Sequence, residues 1–459
     1  MSNLIVQKFG GSSVANLERV HNVAKIVTSE PSVRRILVLS AMSGVTDLLI
    51  KASTEAAIGG NYIATFRAVV AKYESLVEGL HQDREHARAA LILLSNELKK
   101  ILEAVAALRF CETRTRDLIL SFGERMMCTL MPFFLRELGS TSVYADARQL
   151  IVTDNRFGNA RVLFDTTGEK LTAWWALQQN VFPVVTGYIA ATDDGISTTL
   201  DRGGSDYTAT IIGGALNADR VEIWTDVDGA MSADPRVVPE ARVIATLSFA
   251  EAAEMAYFGA KVLHPLTLLP VAQKHVPVVI KNTFRPEVPG TMITDAKKEN
   301  GGTVKSVATR SGLALLNVEG AALRGQIGAA GRLFTALARA DVNVVMISQA
   351  SSEESICFIV SREQRETARQ AVEQEFVHQI ESKILSVTLD PEELCIIAAV
   401  GDGMIGQPGV SGRLFQALGN AHVNVRAIAQ GSSERNISAV IREADRENAV
   451  RAVHKEFIQ

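Results

Sequence analysis

Apolar and polar positions along the chain fall into two regimes. Leu4-Ile5-Val6-Gln7-Lys8-Phe9 and Arg35-Ile36-Leu37-Val38-Leu39-Ser40 are short, nearly unbroken apolar runs, the pattern of strands covered on both faces. Between them Gly10-Gly11-Ser12-Ser13 predicts a turn, and the spacing from about Asn16 to Ser29 predicts a helix. From about Tyr62 to Gly139, Leu, Ile and Ala recur at three- and four-residue steps, which predicts a mostly helical region. Residues 182–188 and 220–225 read as two further strands. Strand, glycine turn, helix, strand is the grammar of an α/β layered domain with a mainly parallel sheet. The polar stretch Lys297-Lys298-Glu299-Asn300-Gly301-Gly302 predicts a link, so this domain is expected over residues 1–297.

The second half repeats itself. Gly331-Arg332-Leu333-Phe334 recurs as Gly412-Arg413-Leu414-Phe415, and Val342-Asn343-Val344 as Val423-Asn424-Val425. Gln349, Ser351, Ser352 and Glu353 recur as Gln430, Ser432, Ser433 and Glu434 at the same offset. Each copy reads strand, glycine loop, helix, strand, strand, helix, which resembles a ferredoxin-like βαββαβ unit. The expected boundaries are 303–388 and 389–459, two paired modules and not a solenoid.

Composition narrows the class. A chain of 459 residues is too long for one core. With 47% hydrophobic and 21% charged residues, a disordered or collagen-like chain is excluded. Lys and Arg number 47 against 51 Asp and Glu, a formal net charge of −4, so nothing points to nucleic acid as a partner. The four cysteines, Cys111, Cys128, Cys357 and Cys395, are scattered, with no C-x-x-C pair and no clustered His. Neither a structural metal site nor a disulfide framework is expected, and the cysteines read as small buried hydrophobes. The N-terminus lacks the pattern of a signal peptide, and no uninterrupted apolar run has the length of a membrane helix. A cytoplasmic protein with no membrane partner is the expectation.

Five stretches carry candidate chemistry. Lys8 ends the first strand just before Gly10-Gly11. Glycines let backbone N–H groups approach phosphate oxygens, and the lysine adds a point charge. The plain alternative is a strand-to-helix turn with a surface lysine, since the Walker A spacing is absent. Asp201-Arg202-Gly203-Gly204-Ser205-Asp206 combines an arginine able to grip a carboxylate with an aspartate able to orient a lysine or a metal-bound water. Ser205 reads equally as a helix cap. Trp224-Thr225-Asp226-Val227-Asp228-Gly229, followed by Asp234-Pro235-Arg236, suits the rim of a nucleotide pocket, although Asp-Gly and Asp-Pro are also ordinary turn chemistry. Phe258-Gly259-Ala260-Lys261-Val262-Leu263-His264-Pro265 brings a lysine behind a glycine, with His264 read as structural. Glu124 in Phe122-Gly123-Glu124 sits in the helical region, where a lone Glu ordinarily faces solvent.

Taken in order, these motifs resemble the aspartate kinases of the amino acid kinase family, and the two repeats resemble the ACT regulatory modules that follow that kinase domain. The resemblance covers essentially the whole chain. The Gln349-Ala350-Ser351-Ser352-Glu353 and Gln430-Gly431-Ser432-Ser433-Glu434 loops look more like the threonine-sensitive kinase portion of aspartokinase–homoserine dehydrogenases than like lysine-sensitive enzymes. No dehydrogenase half follows in this sequence, and whether the chain is the front of a bifunctional protein stays open.

The resemblance implies transfer of the ATP γ-phosphoryl group to the side-chain carboxylate of L-aspartate, giving 4-phospho-L-aspartate. It implies Mg²⁺ held mainly by the nucleotide. Lys8 would contact the transferring phosphoryl, and Gly10 and Gly11 would line the phosphate loop. Ser40 and Thr46 would hold aspartate, Glu124 its ammonium and Arg202 its carboxylate. Asp206 would organise the lysine and Mg²⁺ region. Thr225, Asp226, Met231, Arg236, Lys261 and Val262 would surround the nucleotide. Gln349 and Gln430 would hold an amino-acid effector, threonine or lysine or both, and the ACT modules would make a homodimer or homotetramer. Two departures stand out: Asp201, where the family often has glycine before the arginine, and Met231, where relatives often carry tyrosine. Two other readings are a kinase for glutamate or acetylglutamate, and a catalytically silent amino-acid sensor. The retained Lys8, Arg202, Asp206 and Lys261 argue against the sensor.

Overall fold

The computed structural model describes residues 4–30, 33–178, 181–201, 203–259, 263–295, 302–324, 326–349 and 354–458. They pack as two units. One comprises Met1–Ala230, Val243–Phe249 and Val262–Lys297, and the other Met231–Arg242, Ala250–Lys261 and Lys298–Gln459. The strands of the first are β1 (Leu4–Phe9), β2 (Arg34–Leu39), β3 (Ser142–Ala145), β4 (Val152–Thr153), β5 (Phe182–Thr186), β6 (Ile189–Thr192), β7 (Ser197–Thr199), β8 (Arg220–Thr225), β9 (Thr246–Leu247), β10 (Val278–Asn282) and β11 (Thr291–Ile293). The helices up to residue 272 are α1 (Leu17–Thr28), α2 (Val45–Ile58), α3 (Tyr62–Glu78), α4 (Arg84–Leu108), α5 (Thr113–Glu137), α6 (Phe164–Ala176), α7 (Gly204–Ala215), α8 (Phe249–Tyr257) and α9 (Leu269–Ala272).

The main sheet has the order β3-β5-β2-β1-β8-β10-β11-β9. From β3 to β10 every neighbouring pair is parallel, and β11 is antiparallel to β10. All six residues of β1 are buried, which explains its nearly continuous apolar run. The chain steps from β1 to β2 on one side and later returns to β8 on the other. Loops leaving β1, β2 and β8 therefore diverge at one sheet edge, the crevice where open parallel sheets place ligands. Three backbone bonds shape this edge: Ser40 N–H to Phe9 O (3.2 Å), Gly10 N–H to Trp224 O (3.3 Å) and Ser43 N–H to Gly11 O (3.2 Å).

The predicted helix after the glycine turn is α1, capped by the Asn16 side chain on the Arg19 N–H. The predicted helical region is α3, α4 and α5. Helix α5 is long and apolar enough by composition to cross a membrane, but 83% of that window is buried inside the protein. Phe122, Met126, Met127, Leu130 and Phe134 pack with Tyr73 of α3 and Leu49 of α2 in one core. Hydrophobicity here measures burial in protein.

The second unit adds β12 (Ser306–Glu319), α10 (Ala329–Arg339), β13 (Val344–Gln349), β14 (Ser355–Ser361), α11 (Arg365–Glu375), α12 (Val377–Glu381), β15 (Ser386–Leu389), β16 (Leu394–Val400), α13 (Val410–Asn420), β17 (Ala427–Ala429), β18 (Asn436–Arg442) and α14 (Arg446–Phe457). The expected boundary at 388/389 misses how these strands are shared. Leu313–Glu319 pairs with β14, and Leu316–Glu319 with β15, completing the first module. Ser306–Arg310 lies beside β16, the edge position of the second module. A register shift between Arg310 and Leu313 divides the two halves of β12, so the second module takes its fourth strand from chain that precedes the first.

Nor does the kinase-like part end simply at 297. Ala233, Val237 and Val238 are buried in one core with Ile397, Leu414 and Val453 of the second module. Helix α8 is held by both modules. Lys305 Nζ lies 2.7 Å from the fully buried Glu251 carboxylate, whose other oxygen accepts the Asp402 N–H (2.8 Å). Asn436 Nδ2 donates to Glu254 (2.6 Å), and Tyr257 Oη donates to the Val345 carbonyl (2.5 Å).

Candidate active site

Lys8 is the penultimate residue of β1 and is 8% exposed. Its ammonium is ion-paired with Asp206 in the first turn of α7. Taking a charge out of water is costly, so a nearly buried lysine needs such a counter-ion. The pair fixes the ammonium where β1 enters the glycine turn, and its atom Nζ lies 3.4 Å from where a Gly10 side chain would begin. A Cβ on Gly11 would stand 2.8 Å from the Ala41 carbonyl, so the two loops meet only because residue 11 is glycine. The Gly10 N–H is taken by Trp224 O (3.3 Å), and the Ser13 N–H by Gly10 O (2.9 Å).

The other side of the candidate site is built from the loop after β2. Ser40 and Thr46 are half-buried. Between them Gly44 adopts a left-handed conformation (φ 78°) that starts α2. Glu124 does not face solvent, as a lone Glu in a helical stretch suggests; it is 3% exposed. One of its oxygens accepts the Ala41 N–H (3.0 Å), and the other, Oε2, is buried with no protein partner. Burial raises its pKa to about 8. An unpartnered buried carboxylate oxygen calls for a donor, and a bound ammonium is one.

Loop and helix meet again near α7. Gly203, the residue before α7, has φ 77°, a conformation that favours glycine. Ser205 is buried but makes no side-chain cap on this helix. Arg202, Lys261 and Val262 lie outside the described residues. Asp201 is exposed and lines a cavity of about 460 Å³ with Arg161, Tyr207 and His264, so solvent screens its charge. His264 caps the short helical turn Pro265–Leu268 by position, in keeping with a structural role.

Thr225 ends β8, and its hydroxyl donates to Asp226 (3.3 Å). Thr225 O accepts the Thr283 N–H (2.8 Å), which ties the ends of β8 and β10. Met231 and Arg236 belong to the second unit. The Arg236 guanidinium donates to the Asp234 carboxylate through three bonds, of 3.0, 3.2 and 2.6 Å. Among the described residues no group of three or more His, Cys, Asp or Glu is placed to hold a metal ion by itself.

In the second module Gln430 accepts a hydrogen bond from the Ser411 hydroxyl (3.2 Å), and Glu434 accepts the Gly406 N–H (2.6 Å). These residues line a cavity of about 290 Å³. Gln349 ends β13, is exposed, and is followed by residues outside the described set. The position matching Ser411 in the first module is Ala330, so the Ser–Gln bond is peculiar to the second.

Two residues that sequence reasoning passed over as candidates lie beside these segments. Asp117 is 1% exposed and binds Thr199 and Gly158. Tyr188 has φ 66°, its carbonyl accepts the Leu200 N–H (2.8 Å), and burial raises the pKa of its phenol to about 12. The available signal was spacing: Asp117 stands two helical turns before Glu124 on the same face of α5.

Residues 3–282 match the amino acid kinase family, and residues 316–376 and 397–457 match an ACT domain. The bifunctional aspartokinase/homoserine dehydrogenase 2 of Arabidopsis thaliana chloroplasts is 38% identical over 98% of this chain, which covers 50% of that protein. Arabidopsis chloroplast aspartokinase 2 is 33% identical over 99% of this chain and 84% of its own length. E. coli aspartokinase III in complex with aspartate and ADP superposes with a TM-score of 0.84 at 31% identity, over 99% of this chain and all of that one. Its complex with lysine and aspartate gives 0.80 at 31% identity, over the full length of both chains. The chain belongs to the amino acid kinase family and, within it, to the aspartokinases. It spans about half the length of the bifunctional relatives.

Proposed function

We propose that this protein transfers the γ-phosphoryl group of ATP to the side-chain carboxylate of L-aspartate, giving 4-phospho-L-aspartate and ADP. The observation that carries the reading is the pairing, at one sheet edge, of a fixed lysine ammonium with a buried, half-unsatisfied Glu124. One end suits a phosphate and the other an amino-acid ammonium. The acceptor carboxylate is ionised at neutral pH, so no general base is required. Catalysis then rests on alignment and charge neutralisation. Lys8 neutralises charge on the transferring group, Asp206 holds Lys8 in place, and Gly10 and Gly11 let the phosphates come close. Ser40, Thr46, Glu124 and Arg202 hold aspartate. Thr225, Asp226, Met231, Arg236, Lys261 and Val262 surround the nucleotide, with Arg236 exchanging Asp234 for phosphate. Mg²⁺, when bound with ATP, supplies further neutralisation of the phosphate oxygens.

An amino-acid effector, threonine or lysine, binds at the Gln430 cavity and at the matching Gln349. Support comes from the polar lining of the Gln430 cavity and from the grip of both modules on α8 and of the second on residues 231–242. Those segments carry Met231 and Arg236 and lead directly into Lys261. An effector shifts activity only by binding one state of this assembly better than another. Pairing of ACT modules between subunits would make the protein a homodimer or homotetramer.

The test is hydroxylamine trapping of the acyl phosphate with MgATP and L-aspartate, alone and with threonine or lysine. Aspartate-dependent hydroxamate that vanishes with EDTA is expected, with inhibition by threonine that is weakened at least tenfold in Gln430→Ala. Saturable threonine binding with no hydroxamate would favour the sensor reading instead.

A further inference from the structure

Helix α5 touches the site twice. Glu124 holds the loop after β2 through the Ala41 N–H. Asp117, seven residues earlier and on the same helical face, holds the last residue of β7. Its Oδ1 accepts the Thr199 hydroxyl (2.9 Å), and its Oδ2 accepts the Thr199 N–H (3.3 Å) and the Gly158 N–H (2.8 Å). The carboxylate is nearly fully buried, so these donors are what compensate its desolvation.

The effect reaches beyond Thr199. This residue ends β7, and the chain runs from it through Leu200 and Asp201 to Arg202. Leu200 N–H donates to Tyr188 O (2.8 Å), and the Tyr188 N–H donates to Thr208 Oγ1 of α7 (3.1 Å). A Cβ on Gly204 would lie 2.7 Å from the Tyr188 ring, so ring and helix start are in tight contact. Asp206, two residues on, is the ion-pair partner of Lys8.

We propose that Asp117 is a positioning residue for the amino-acid subsite: through Thr199, Leu200 and Tyr188 it sets where the end of β7 and the start of α7, the segments on either side of Arg202 in the sequence, stand relative to Glu124. The inference rests on the aspartate kinase reading given above. One helix thereby fixes the spacing between the group that takes the substrate ammonium and the loop that takes its carboxylate. Such spacing selects the length of the amino acid, and errors in it fall on substrate binding and alignment.

The experiment is steady-state kinetics on the full chain with Asp117→Asn, Thr199→Val, Thr199→Ser and the Asp117→Asn/Thr199→Val pair. Asp117→Asn keeps the shape but removes the charge and replaces one carboxylate oxygen by an NH₂ group, which cannot accept the bonds taken at that oxygen. It is expected to raise KM for aspartate about tenfold or more while KM for ATP stays within about twofold. Thr199→Val is expected to act in the same sense, Thr199→Ser to restore the wild-type KM, and the double variant to be no worse than Asp117→Asn alone. KM for both substrates rising together, or additive effects of the two changes, would mean mere structural damage and overturn the inference. Thr199→Val keeps the test alive should Asp117→Asn fail to fold, and its KM for aspartate staying at the wild-type value would likewise overturn the inference. Wild-type protein that forms no hydroxamate from aspartate would overturn the functional reading first, and this one with it.

Discussion

Lys8→Ala is expected to lower turnover with MgATP and aspartate by about a thousandfold, the scale set by removing one fixed charge at a reacting group. Two effects act in the same direction. The ammonium that faces the phosphates is gone, and Asp206 keeps its negative charge in a site where the Lys8–Asp206 side chains are only 10% and 13% exposed. An unpaired carboxylate there repels the incoming triphosphate and also destabilises the fold. The two consequences separate in the Lys8→Ala/Asp206→Asn variant, which should regain the melting temperature but not the turnover. Hydroxamate formation and a thermal melt on the three proteins decide it. Turnover of Lys8→Ala within tenfold of wild type would remove Lys8 from the reaction.

Glu124→Gln should lower kcat/KM for aspartate by about a hundredfold at pH 8, because one partner of a buried charge pair is lost. The pH profile carries the sharper expectation. Burial holds the Glu124 carboxyl at a pKa of about 8, so below that pH the free enzyme carries it protonated. A neutral carboxyl attracts an ammonium weakly. Wild-type kcat/KM for aspartate should therefore climb as pH rises towards 8 and level above it, since this parameter reports ionisation in the free enzyme. The Gln variant should be flat over the same interval.

Stability runs the opposite way. The folded-state pKa of Glu124 lies above its ordinary value of 4.5. Between those two values the native state keeps a proton that the unfolded chain releases. The contribution is thus fully present below about pH 4.5 and is lost as pH rises through about 8, an effect on the order of a few kcal/mol. Glu124→Gln should gain on wild type in melting temperature between pH 5 and pH 8.5. Parallel melting curves for the two proteins across that range would show that Glu124 is not held protonated.

Some of this was legible in the chain alone. β1, the glycine turn, α1 and β2 follow from local periodicity and cap chemistry, and all lie within the first forty residues. The repeat marked two similar modules, and the ordered motifs marked a kinase of the aspartate family. Burial of Glu124 was not legible locally. Its neighbours Phe122, Gly123 and Arg125 form no solvent-facing stripe because α5 is enclosed on nearly every side. The division of β12 was equally hidden: one 14-residue strand serves two modules, and only pairing partners reveal where one ends.

Sequence by itself therefore determined four strands of the first unit, its first helix and its helical region, and the residue types that suit phosphate and amino-acid chemistry, because each depends on neighbours a few positions away, and it determined the duplicated module because the repeat keeps one offset. Only the tertiary structure decided which of these groups act together. Ala41 meets Glu124 across 83 positions of chain, and Asp117 meets Thr199 across 82. No periodicity encodes such meetings. They exist because a parallel sheet gathers its strand ends at one edge and an enclosed helix lies across them. The same burial that hides Glu124 and Asp117 from water gives their carboxylates a reason to seek those partners.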